Sequence, residues 1–93
     1  MKGQMAIYRT ADGQGVYVFS FKKIRWRDWR VYVEVEPPYG NRVSCSCATH
    51  RLSDGGKKYI CWSTRIKSLD KAKQIAALWA ESTQEYIKTG KKF

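Results

Sequence analysis

The chain has 93 residues, 43% of them hydrophobic and 14% aromatic, which suits one domain with its own core and excludes a disordered chain. Its 18 Lys and Arg against 8 Asp and Glu leave a net charge of +10, so the expected partner is a polyanion, nucleic acid first. No run approaches the roughly 18 apolar residues of a membrane span, so a membrane is not an expected partner.

Residues 5–10 read as a first strand, closed by a turn at Asp12-Gly13 and Gly15. Residues 16–22 are β-branched and aromatic and read as a second strand. Residues 29–36 alternate, with Val31, Val33 and Val35 on one side and Tyr32, Glu34 and Glu36 on the other, the pattern of a half-buried third strand. Pro37-Pro38-Tyr39-Gly40-Asn41 ends it, because proline cannot continue a ladder. A fourth strand is expected over 42–50 and a fifth over 57–66, joined by a hairpin turn at Ser53-Asp54-Gly55-Gly56.

From Ser68 the period changes. Ser68 is a suitable N-cap, Asp70 faces the positive end of the helix dipole, and Gly90 can supply a left-handed stop. Between them Ala72, Ile75, Ala76, Trp79, Thr83 and Tyr86 recur at steps of three and four, which predicts a helix over about 69–88 with one core-facing stripe. The expected fold is a single α+β domain over 1–93, β-β-β-β-β-α: an antiparallel meander with one long C-terminal helix packed on one face. A single helix covers one face of a sheet and leaves the other open. Several small DNA-binding domains share this layout, with a sheet in the major groove. The likeness is one of layout alone, because no diagnostic residues match.

Cys45-Ser46-Cys47, His50 and Cys61 invite a zinc reading, since three thiolates and an imidazole form a permitted ligand set. Strand parity argues against it. A two-residue Asp54-Gly55 turn sets Cys47 opposite Trp62 and gathers Val43, Cys45, Cys47, Ile60, Trp62 and Ile66 on one face, with His50 and Cys61 on the other. Cys45 and Cys47 are therefore expected as small core residues beside Trp79, and no metal or cofactor is expected. Three cysteines, with no apolar run in Met1-Lys2-Gly3-Gln4-Met5 to act as an export signal, suggest a reducing, cytoplasmic setting.

No catalytic constellation stands out, so an enzyme is not expected. Glu34 and Glu36 could form an acid/base pair, but a solvated strand face explains them more simply. The segment that hints at a function is 22–30, which packs five cations and two tryptophans around one acid. Lys22, Lys23, Arg25, Arg27 and Arg30 can contact phosphates. Trp26, Trp29 and, on the next strand, Tyr32 can stack on unpaired bases, although one tryptophan is expected in the core. Lys57, Lys58 and Arg65 would extend the patch over the open face, with Lys67 beside them. Tyr17, Phe19 and Phe21 either join that face as an aromatic platform or form the core. Avoidance of an exposed aromatic row favours the core.

The expected function is a small, non-enzymatic nucleic-acid-binding protein, DNA slightly ahead of RNA. The alternative is a protein-interaction or dimerisation module, of the accessory type found in phages and mobile elements, that binds an acidic surface or forms a homodimer.

Overall fold

The computed structural model describes residues 4–25 and 28–93, with the backbone alone for Arg25, Ser46 and Cys47. The described residues form β1 (Gln4–Arg9), β2 (Val16–Arg25), β3 (Asp28–Val35), a single turn α1 (Ser46–Thr49), β4 (Arg51–Asp54), β5 (Lys57–Ile60) and α2 (Leu69–Thr89). The strands make one antiparallel sheet in the order β1-β2-β3-β5-β4, so the α+β class with a C-terminal helix is as the sequence indicates. The last two strands trade places relative to a simple meander: β5 lies against β3, and β4 is an edge.

The first three strands follow their side-chain chemistry. β2 places Tyr17, Phe19 and Phe21 on the helix side, each 1% exposed or less, which settles their orientation in favour of the core. Val31 of β3 faces Phe21 and is equally buried. α2 starts at the Ser68 cap, whose Oγ accepts from the Lys71 N–H, and ends at Gly90 in the left-handed region at φ 79°. All six residues of the expected stripe are buried. The Trp79 ring meets Tyr17 and Phe19 edge-on at 5.9 and 6.0 Å, and its Nε1 donates to the Thr49 carbonyl.

Residues 42–50 are not a strand. They run as a loop and one helical turn, and His50 at φ 54° breaks the backbone before β4. Side chains reach into this segment and take its carbonyls: Tyr86 Oη donates to Val43, Arg51 Nη2 to Ser44 and Trp79 Nε1 to Thr49. These long-range contacts hold the segment in its loop, and the packing overrides a run of small alternating residues that resembles a strand locally. Val43 and Cys45 are consequently exposed, not core, while the Cys47 side chain lies outside the described residues.

The hairpin turn is Gly55-Gly56, with φ 58° and 83°, and pairs Arg51 with Ile60 and Asp54 with Lys57. Both central residues of this turn have positive φ, which two glycines supply without steric cost. β5 ends at Ile60, so Trp62 and Arg65 lie in the following loop, and Trp62 is 37% exposed.

The inward place on β4 belongs to Arg51, which is 3% exposed. Its Nε donates to Thr49 Oγ1 and its Nη1 to Glu36 Oε2, while Tyr39 donates to the other Glu36 oxygen and lies 5.1 Å beneath the guanidinium. Glu36 is thus a half-buried ion-pair partner just past β3, not a solvated residue on the Glu34 face. Burial, then the Glu36 carboxylate, pushes the Tyr39 phenol above the ordinary tyrosine range.

Candidate functional site

Two long strands make the site. β2 runs to Arg25 and β3 begins at Asp28, with Arg25 opposite Asp28, so residues 22–25 and 28–30 pair at the end of the two strands. Lys22 sits opposite Arg30 and Lys23 opposite Trp29, and both lysines are exposed. Trp26, Arg27 and the Arg25 side chain lie outside the described residues.

The loop after β5 folds back over this end. The Trp29 N–H donates to the Ile66 carbonyl at 2.7 Å, and Arg65 pairs with Asp28 at 3.7 Å. Ile66 is buried, which pins the return. Between the start of β3 and residues 60–66 lies a groove of about 180 Å³, lined by Trp29, Tyr59, Trp62, Leu52, Arg30 and Arg65 among others. Trp29 packs partly against the core, as one of the two tryptophans was expected to do.

On the open face beside the groove, Arg30 is the organising residue. Its guanidinium lies 4.0 Å from the Tyr59 ring centre and donates to Tyr32 Oη at 3.2 Å and Asp54 Oδ2 at 3.0 Å. Partial burial works against the Arg30 charge, but Tyr32, Tyr59 and Asp54 outweigh it and raise its pKa. Lys57 lies 6.0 Å over the Tyr32 ring. Tyr32 and Tyr59 meet edge to face, and Tyr32 is only 9% exposed. Tyr32 therefore supports the cations from beneath and does not offer the stacking surface expected of it. A shallower hollow continues across this face between Lys22, Lys57, Ser20, Glu34 and Asp54.

The structure brings together Lys22, Lys23, Trp29, Arg30, Tyr32, Lys57 and Arg65 around one end of the sheet. Lys58 is exposed but alternates to the opposite face from Lys57. The acids here are few and engaged: Asp28 with Arg65, Asp54 with Arg30, and Glu34 accepting from Ser20 Oγ. Lys22 and Lys23 have no ion pair among the described residues. Sequence reasoning missed Trp62 and Leu52 as groove residues, having placed Trp62 inside. β5 loses its β4 partner after Ile60, because the left-handed His50 breaks the chain just before Arg51, and that leaves Trp62 in the loop.

Among the described residues no three of His, Cys, Asp and Glu gather as a metal site, and no helix is long and apolar enough to cross a membrane. No family model matches the sequence, and neither a curated protein nor a solved structure resembles it significantly.

Proposed function

We propose that the chain binds nucleic acid through the β2–β3 hairpin end and the groove beside it. The observation that carries this reading is the groove itself: Arg30 and Arg65 stand with Trp29, Tyr59 and Trp62 in one concavity, and exposed Lys22 and Lys23 sit on the neighbouring strand opposite Arg30 and Trp29. Cations hold phosphates in register, and aromatic walls accept bases that leave the stack. The charge distribution agrees, since residues 1–30 carry net +5 and residues 61–93 net +4, and the hairpin end and the 65–67 loop draw on both.

DNA is the first ligand to test, duplex and single-stranded, with RNA alongside. Tryptophan fluorescence titrations at low and near-physiological salt should show binding that weakens steeply with salt, as the displacement of about six condensed counterions would produce. Lys22→Ala, Lys23→Ala and Arg65→Ala together remove exposed charge without touching the core, and should flatten that salt dependence and reduce affinity at least tenfold. Unchanged binding by this triple variant, or no binding of any nucleic acid by the parent chain, would sink the proposal and turn attention to an acidic protein surface.

A further inference from the structure

The two edges of the sheet differ in how they are guarded. β4 is four residues long and carries Arg51 and Asp54, both in ion pairs. Short, charged edges resist pairing with other chains. β1 is six residues long, and Gln4, Met5, Ala6, Ile7 and Tyr8 carry no charge. Among the described residues it pairs with β2 alone, so its outer row of backbone N–H and C=O groups has no strand partner there. On the open face it shows Met5 and Ile7, 66% and 76% exposed. Ile7 stands opposite Val18, and Val18 opposite Val35, so an apolar row crosses three strands and stops at this edge.

We infer that β1 pairs antiparallel with β1 of a second copy, with Ile7 on the two-fold axis, joining two sheets into one of ten strands. The row then runs unbroken as Val35, Val18, Ile7 and their two-fold mates. Met5 of each copy faces Arg9 of the other, whose aliphatic stem covers it. No like charges meet, because Arg9 falls opposite methionine. A one-residue slip would turn the second copy over and place its helix on the opposite face, with Ile7 against a helix-side residue. Pairing is antiparallel, so the two hairpin ends point in opposite directions. The most basic regions thereby lie well beyond the ~8 Å over which charge acts at physiological salt. A second copy fits better than an acidic partner because Gln4 to Tyr8 carry no charge and the exposed Met5 and Ile7 are apolar.

The test is sedimentation equilibrium of the chain across about 1 μM to 1 mM, the range where a single short strand interface operates. The expected result is a dimer that Ile7→Lys shifts at least tenfold toward monomer with an unchanged circular dichroism spectrum. Leu78→Lys, at an exposed apolar site on α2, should leave dimerisation unaltered. With Cys45, Cys47 and Cys61 replaced by Ser, Ile7→Cys should cross-link to itself under mild oxidation. A monomer throughout this range, a dimer indifferent to Ile7→Lys, or a dimer that fails to cross-link through Ile7→Cys would overturn the inference.

Discussion

On the helix side of the sheet, Tyr17, Phe19, Phe21 and Val31 are sealed under Ile75 and Trp79. On the other side, Arg30 and Lys57 lie across the rings of Tyr32 and Tyr59, and Met5, Ile7 and Val35 stay in solvent. Both faces hold aromatic residues, yet one uses them as filling and the other as a bed for charge. The difference is one of alternatives: a ring under the helix has neither water nor ligand to meet, while a ring on the open face is shielded only by long cationic side chains that can move. The first face is made for permanence, the second for exchange.

The sharpest way to break this contrast is at its sealed face. Trp79→Ala removes an indole from between two rings along with its bond to Thr49, and should cost about 3–5 kcal/mol in urea unfolding. Next comes Arg51→Ala, which strands Glu36 and frees the Ser44 carbonyl; a loss of about 3 kcal/mol is expected by the same measurement. On the open face the effects should shrink. Arg30→Ala should cost about 1 kcal/mol, since a partly exposed cation over a ring is worth little more, while nucleic-acid affinity falls further than stability does. A loss in stability as large as that of Trp79→Ala would erase the distinction between the faces.

The smallest effect is expected at Asp12. Its carboxylate accepts from Thr10 Oγ1 and the Gln14 N–H and meets Lys88, so its pKa is held below the ordinary range, the Thr10 hydrogen bond contributing most. A depressed folded-state pKa stabilises the fold above the unfolded value near 4, and that contribution fades as pH falls further. Asp12→Asn should therefore lower Tm slightly at neutral pH, and the gap from the parent chain should close on acidification. A gap that widens in acid would show that these bonds do not favour the charged form.

Much of the sealed face was legible in the sequence because its periodicities are strong: Tyr17, Phe19 and Phe21 at step two, and Ala72 to Tyr86 at steps of three and four. Residues 42–50 were misread because Val43, Cys45 and Cys47 alternate with serines as a strand would. What decides their conformation comes from far along the chain, in Trp79, Tyr86 and Arg51 reaching for backbone carbonyls. The cations of the site were also legible, since charge survives any change of register. The groove was not, because it depends on where β5 ends. The Gly55-Gly56 turn fixes the register and the His50 break ends β4 opposite Ile60, while the sequence reading placed the turn one residue early.

The two clasps that tie the sheet to α2 both land on the helix's second half. The 10–15 turn is gripped by Glu81, Gln84 and Lys88, and the 42–50 loop by Trp79 and Tyr86. During synthesis the strands emerge before any of these residues, so the aromatic face of β2 leaves the ribosome with nothing to lie against. Folding must wait for nearly the whole of α2, and contacts this distant in sequence close slowly. A chain interrupted just before Glu81 would keep its strands and lose the polar grip on their turn. Such a fragment is the form most prone to be captured by a chaperone or to aggregate.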